Sequence, residues 1–566
     1  MKNYVLLFIT LTTLSCSTFF NRNPANTANT QKPRHVIITV HGLSGDETTW
    51  GSFNEVTQHY LPMLRPDREV VISNFLYPTG KSEKYSTMDF ANMLNNHIEG
   101  LFKDRPLQPE DRISFVGHSQ GGVVSYIWFF SRILDDSLEQ KYMRQVDSII
   151  TLGTPFWGSK LASMLTDKNI PDIIPLVRLF ADGLVTRKEL VDMSFGSDVI
   201  HKFRQIAIKM DTDPSLEQKI ESLPIRLINI MGVLPANSQD VYIKNDQNVV
   251  KDITKKIVSK IYELFQDKSG NTTQIESDVA VMVPSGRWDF IYAKPQIITA
   301  GGNTVSASQF THFNHLTDNK RSKFFFTESV HLPFDTNSTL SMAYISKSCL
   351  APEQCAHPTY RYILEELANC SNEAIRCDMA YADELNAKMK IHRSHVDEKG
   401  NPISDYNAFK NISKNLQTFT IQVEMKLKPG MISAFPVKYF TRSTLNEMDV
   451  WTLREPSLLG KVINLKRNGN DTSKASTDEL TVYIAPKTER RGIDIVSKEA
   501  KTVTDFDIIR INVVGYVKYK TAQKTTAQMT TVPLSINLPG QPAVDIEAVI
   551  QPGYSTYLPL DYTKLQ

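Results

Sequence analysis

At 566 residues the chain is longer than one ordinary domain, and length alone leads us to expect about three or four folding units. Apolar residues make up 41% of it and charged residues 22%, the composition of a globular protein with a large core. The 63 basic and 61 acidic residues nearly cancel, so nothing in the charge balance calls for nucleic acid or an acidic partner.

The N-terminus has the form of an export signal. Lys2 precedes an apolar run from Tyr4 to Leu14, and small residues Ser15-Cys16-Ser17 follow. A run of about 11 apolar residues after a positive charge suits a secretory signal and is too short to span a bilayer. The end of the run, Leu11-Thr12-Thr13-Leu14-Ser15-Cys16, resembles the lipobox of bacterial lipoproteins, in which the cysteine is lipidated and becomes the first residue. It departs from that pattern at Thr13, where a leucine is usual, with Leu14 one place late. The resemblance implies lipidation at Cys16, a membrane anchor and a place in the bacterial cell envelope, with residues 1–16 as leader and 17–33 as a solvated tether. An ordinary cleaved signal with an incidental cysteine is the alternative. Besides Cys16 the chain has four cysteines, Cys349, Cys355, Cys370 and Cys377, in two close pairs. An exported chain can oxidise them, and pairing neighbours gives Cys349–Cys355 and Cys370–Cys377, one of three possible connectivities.

A catalytic unit is expected over 34–378. His35-Val36-Ile37-Ile38-Thr39-Val40 is a β-branched run suited to a buried parallel strand, and His41-Gly42-Leu43-Ser44-Gly45 turns away from its end. Glu69–Ser73 is the next predicted strand, and Met88–Phe102 reads as a helix. Arg112–Val116 then runs into Gly117-His118-Ser119-Gln120-Gly121, followed by the apolar helical stretch from Val123 to Phe130. A strand, a G-x-S-x-G turn and a helix together hold a serine hydroxyl out above a sheet edge. The helix start directs free N–H groups and a positive dipole end at it, so Ser119 is the candidate nucleophile. Further strands are predicted at Ser148–Leu152 and Ile225–Ile230. This alternation of strands and helices means a parallel sheet covered on both faces, with functional groups at the carboxyl ends of its strands.

Three segments of this unit, Val40-His41-Gly42-Leu43, Gly117-His118-Ser119-Gln120-Gly121 and Leu152-Gly153-Thr154-Pro155-Phe156-Trp157-Gly158-Ser159, resemble the lipases and esterases of α/β-hydrolase fold. The nearest resemblance is to the lipase branch that includes GPI inositol-deacylase-like proteins, and it covers about residues 34–370. It implies an α/β-hydrolase fold, a Ser-acid-His order along the chain, and an oxyanion hole formed by the backbone N–H groups of Leu43 and Gln120. It also implies a helical cap over the site at about 160–223, where Ile170–Phe180 is rich in apolar residues. Packing of the domain is the competing explanation for that stretch.

A serine hydroxyl needs a base, and the base needs an orienting carboxylate. Within Glu276–Arg287, Asp278 precedes a short apolar run, as in the family's acid loop. Asp240 and Glu276 are the rivals, and 247–265 reads as an amphipathic helix inserted before that loop. Lys323–Ser329 reads as the last strand, and His331, directly beyond it, is the preferred base. His312 and His315 precede that strand, His357 opens a closing helix at Tyr360–Leu367, and His41 and His118 belong to their motifs as shaping groups. There is no H-E-x-x-H, no cysteine pair at zinc spacing and no Gly-rich phosphate loop, so the expected chemistry uses neither metal nor cofactor.

From about 379 to 566 the texture becomes all-β. Thr418–Lys428 alternates strictly between apolar and polar residues, and similar runs follow at Leu480–Ile484, Asp507–Tyr519, Val532–Leu538 and Val544–Ile550. A β-sandwich-like domain of unread function is expected. Taken together, the sequence predicts an exported serine hydrolase acting on carboxylic esters, most naturally lipids. The same site would serve an acyltransferase or thioesterase, and a non-catalytic surface-binding lipoprotein built on a hydrolase scaffold is the alternative from another class.

Overall fold

The computed structural model describes residues 32–80, 84–135, 141–159, 187–194, 197–203 and 213–233. It also describes residues 161, 162, 206, 278, 280, 281, 285, 286, 288, 331, 359–370 and 377, and the strand backbones within 290–328 and 416–561. The leader with Cys16, the Cys349–Cys355 pair, the predicted helix 247–265, Asp240, Glu276, His312, His315 and His357 lie outside the described residues.

Six strands form one parallel sheet: β1 (Arg34–Val40), β2 (Glu69–Phe75), β3 (Arg112–His118), β4 (Val146–Leu152), β5 (Arg226–Val233) and β8 (Ser322–Glu328), in the order β2-β1-β3-β4-β5-β8. This is the α/β-hydrolase arrangement that the alternating pattern predicts. Because side chains alternate along a strand, each strand feeds two cores. Val36, Ile38, Val40, Phe115 and Ile149 pack with helix α2 (Thr87–Leu101) and helix α3 (Gln120–Leu134) on one face. Ile37, Val116, Ile150, Ile228 and Ile230 pack on the other face with helix α1 (Phe53–Leu64) and helix α6 (Thr359–Ala368). Helix α3 is buried on nearly every side, including Val123, Ile127, Trp128, Phe129 and Phe130, which is why its sequence lacks a polar face. Among the described residues of the predicted cap span are two short helices, α4 (Arg187–Asp192) and α5 (Pro214–Glu221), and a helical stretch at 198–203.

Chain order reverses between β1 and β3, with β2 beyond β1 on one side and β4 beyond β3 on the other. In an open parallel sheet the crevice at such a reversal, outside the carboxyl ends of the strands, is where ligands bind. Here it lies between the turn after Val40 and the turn after His118.

Cys370 and Cys377 form a disulfide just past α6, with Cα atoms 5.6 Å apart. Beyond it lie β9 (Leu416–Lys426), β10 (Phe440–Leu445), β11 (Met448–Leu453), β12 (Ile463–Leu465), β13 (Asp478–Glu489), β14 (Ile508–Tyr519), β15 (Thr530–Ile536), β16 (Val544–Ile550) and β17 (Tyr554–Asp561). They join β6 (Phe290–Ala300) and β7 (Asn303–Thr311) in one eleven-stranded hydrogen-bonded set. The hairpin β6–β7 falls before residue 378, so this set draws strands from both sides of the 378/379 boundary. Sheet membership follows hydrogen-bond partners, which sequence proximity does not specify.

Candidate active site

Ser119 occupies the bend between β3 and α3 with φ 53° and ψ −124°, an uncommon conformation for a residue with a Cβ. Such backbone costs on the order of 1–3 kcal/mol and persists only where surroundings impose it. Here they do so in two ways. The Ser119 N–H donates to the Leu152 carbonyl (2.9 Å), pinning the bend to the end of β4. Gly121 packs so closely beneath β1 that a Cβ there would lie 2.2 Å from the Val40 carbonyl oxygen, so only glycine fits. Gly42 meets Ser119 from the other side, since a Cβ at Gly42 would come within 2.7 Å of the Ser119 Cβ.

The structure brings Asp278 and His331 to this serine. His331 Nε2 lies 2.9 Å from Ser119 Oγ, and His331 Nδ1 lies 2.9 Å from Asp278 Oδ2. Asp278 is fully buried, and its Oδ1 accepts the N–H groups of Ala280 (3.1 Å) and Val281 (2.7 Å). That leaves Oδ2 to face the imidazole. A carboxylate oxygen can only accept, so Nδ1 carries the ring proton and Nε2 presents its lone pair to the serine hydroxyl. The His331 N–H also donates to the Asp278 carbonyl (2.7 Å), which ties the backbones of the two residues together.

The acid loop is held in turn by the segment after β4. Phe156 N–H donates to the Ser285 carbonyl (2.8 Å), Trp157 N–H to Ser285 Oγ (3.2 Å), and Ser159 Oγ to the Ala280 carbonyl (2.6 Å). The Leu152–Ser159 motif therefore braces the segment that carries Asp278.

His118 stacks on His331, with ring centroids 4.9 Å apart and planes at 28°. Burial, reinforced by the neighbouring histidines His331 and His41, pushes its pKa well below the ordinary value, so it sits beside His331 as a neutral ring. His41 donates from Nδ1 to the Gly42 carbonyl (3.0 Å) and stacks on Tyr77 at 4.2 Å, while the Tyr77 hydroxyl donates to the His41 carbonyl (2.6 Å). Both histidines shape the turns beside the serine.

The two predicted oxyanion amides flank this site. Leu43 follows Gly42, whose carbonyl accepts the Gly45 N–H (2.9 Å) in a tight turn, and Gln120 opens α3. Among the described residues neither the Leu43 nor the Gln120 amide is consumed in a backbone hydrogen bond outside regular structure.

Four buried residues near the site, Thr79, Thr87, Glu189 and Asp192, carry no site role in the sequence reading, which places only Glu189 and Asp192 within the cap region. Glu189 accepts the Thr79 hydroxyl (2.5 Å) and the Gly80 N–H (2.8 Å), and Asp192 accepts the Thr87 N–H (2.8 Å) and hydroxyl (3.2 Å). Burial raises the Asp192 pKa, opposed by the bonds from Thr87. The only sequence signal was positional, since Thr79 and Thr87 follow β2 at the carboxyl edge of the sheet.

Residues 30–167 match the family described as "Putative serine esterase (DUF676)", a span that holds Leu43, Ser119 and Gln120 and ends before Asp278. No curated protein matches the sequence. Among solved structures the chain is similar to phospholipase PlaB from Legionella pneumophila in complex with thio-NAD, at 11% identity and TM-score 0.49, covering 93% of this chain and 94% of that one. A metagenomic carboxyl esterase is similar at 12% identity and TM-score 0.31, over 60% of this chain and 77% of that one. A monoacylglycerol lipase from Paleococcus ferrophilus is similar at 16% identity and TM-score 0.22, over 36% and 76%.

Proposed function

We propose that this serine ester hydrolase cleaves carboxylic esters of lipids at the cell envelope, with Ser119 as nucleophile, His331 as general base and Asp278 as the residue that orients it. The observation that carries this reading is the unbroken run of hydrogen bonds from Ser119 Oγ through His331 to buried Asp278. His331 Nε2 takes the hydroxyl proton as Ser119 Oγ bonds to the acyl carbon, and the carbonyl oxygen becomes an oxyanion facing the Leu43 and Gln120 amides. Collapse of that intermediate breaks the ester bond, and the proton on Nε2 goes to the departing alcohol. Water, activated by the same nitrogen, then releases the acid and restores the serine.

Lipid as substrate class and the envelope as location draw on the lipobox-like leader ending at Cys16 and the apolar cap segment Ile170–Phe180. A two-part anchor of lipid and tether would hold the site near a bilayer.

A fluorophosphonate probe applied to fractionated cells tests all three parts. The expected result is one labelled band in the membrane fraction, abolished by Ser119→Ala and moved to the soluble fraction by Cys16→Ser. Equal labelling of Ser119→Ala protein sinks the nucleophile, and a soluble wild-type band sinks the anchor. On a panel of esters from butyrate to palmitate, activity confined to the shortest chains would remove lipid as the substrate class.

A further inference from the structure

Two parallel hydrogen-bond relays join the oxyanion side of the site to a single short helix of the cap. In the first, Ser44, next to Leu43, donates its N–H to Thr79 Oγ1 (3.1 Å). With its oxygen engaged as acceptor, the Thr79 hydroxyl directs its proton to Glu189 on α4 (2.5 Å), with Gln120 Oε1 a longer alternative at 3.4 Å. In the second, Gln120 donates from Nε2 to Thr87 Oγ1 (3.0 Å), and the Thr87 hydroxyl donates onward to Asp192, one turn along α4 (3.2 Å). Each threonine thus accepts from an oxyanion residue or its neighbour and donates to a carboxylate. Thr79, Thr87, Gln120, Glu189 and Asp192 are all buried, so a broken link leaves a polar group without water to replace it.

We infer that Thr79 and Thr87, held by Glu189 and Asp192, are positioning residues that set the oxyanion hole and couple it to the placement of the cap. This rests on the assignment of the Leu43 and Gln120 amides above. Oxyanion donors act only if they are fixed before charge develops, within a few tenths of an ångström of where the oxygen arrives. The turn holding Leu43 and the first residue of α3 come from distant parts of the chain, and α4 ties down both. A displacement of α4 would loosen both donors together and lower turnover without removing substrate contacts.

The two carboxylates hold their threonines differently. Asp192 accepts both Thr87 bonds through Oδ2 alone, so an asparagine oxygen can take its place. Glu189 uses both oxygens, one for Thr79 and one for the Gly80 N–H, so glutamine must turn an NH2 group against a donor.

The test uses the full-length protein and measures kcat, KM, Tm and the inhibition constant of an alkyl trifluoromethyl ketone, whose hemiketal oxygen occupies the oxyanion hole. Thr79→Val, Thr87→Val and Glu189→Gln should each lower kcat by about 10- to 100-fold and weaken the ketone in proportion, with KM within about threefold of wild type. Thr79→Ser and Asp192→Asn should stay near wild type. Unchanged kcat in both valine variants would overturn the inference, as would a loss of kcat unaccompanied by weaker ketone binding or one that follows Tm and is not rescued by Thr79→Ser. Failure of the ketone to inhibit the wild-type protein would instead overturn the underlying hydrolase assignment.

Discussion

At the scale of single residues, the serine and the acid stand in different positions. Ser119 is legible because the bend that carries it needs small residues at fixed offsets, and Gly117 and Gly121 supply them. An aspartate leaves no such trace. Asp278 was preferred over Asp240 by the look of its loop, and its distinguishing property, an Oδ2 directed at His331 while two amides hold Oδ1, arises only on folding. Its role has a sharp consequence. Asparagine at 278 can offer its NH2 to His331, which selects the tautomer with the proton on Nε2 and leaves no lone pair for Ser119. Asp278→Asn is therefore expected to lower kcat by about 10³–10⁴-fold near neutral pH with little change in KM, as read from steady-state kinetics on a soluble ester. A variant within about tenfold of wild type would remove Asp278 from the triad.

At the scale of elements, strands of the parallel sheet were readable as continuous β-branched runs, because both of their faces are buried. Helix α1 falls where the alternation calls for a helix but has no clear bounds in the sequence: Phe53, Val56, Leu61 and Leu64 share its buried face, while Asn, Gln and His between them blur the period and Pro62 interrupts it. Helix α6 was read correctly, but how it attaches was not. Arg226 at the start of β5 pairs with Glu366 of α6 (3.0 Å) and with Asp147 of β4, and its guanidinium also donates to the Glu366 carbonyl (2.8 Å). A helix that follows β5 by more than a hundred residues is thus fastened to the sheet through one buried cation. Removing that cation alone takes the Arg226 charge away from the buried Glu366 carboxylate and from Asp147. Arg226→Met should therefore cost about 3–5 kcal/mol in urea unfolding, and Arg226→Met with Glu366→Leu should recover a substantial part of it. A loss under about 1 kcal/mol for the single variant would mean that the pair does not hold the helix.

For the molecule as a whole, acid stability turns on a histidine remote from the site. His35, on β1, is buried with Nε2 2.8 Å from Ser114 Oγ on β3, which also accepts the Ser148 hydroxyl from β4 (2.8 Å). Burial is the chief cause that lowers its pKa to about 4, with Asp147 opposing and Arg68, Arg65 and Arg226 assisting. The unfolded chain binds this proton near pH 6.5 and the folded chain only near 4, so unfolding takes up a proton between those values. The stabilisation is present above pH 6.5 and is lost as pH falls through 4, about 3 kcal/mol in full. His118, also lowered by burial, acts in the same direction. Urea unfolding between pH 7 and 4.5 should show wild-type stability falling more steeply than that of His35→Leu; parallel curves would place the acid sensitivity elsewhere.

By itself the sequence determined the fold class and where the strands of the parallel sheet lie along the chain, and it singled out Ser119 and His331 as candidates, because these rest on local chemistry: side-chain period, turn residues and the position of a residue just past a strand. Tertiary structure alone decided which carboxylate faces His331, that β6 and β7 pair with the C-terminal strands and not with the parallel sheet, and that Thr79 and Thr87 stand between the Ser44 and Gln120 turns and the α4 carboxylates Glu189 and Asp192. Those are relations between segments far apart in the chain. They depend on which groups burial brings within hydrogen-bonding reach, and no local pattern records that.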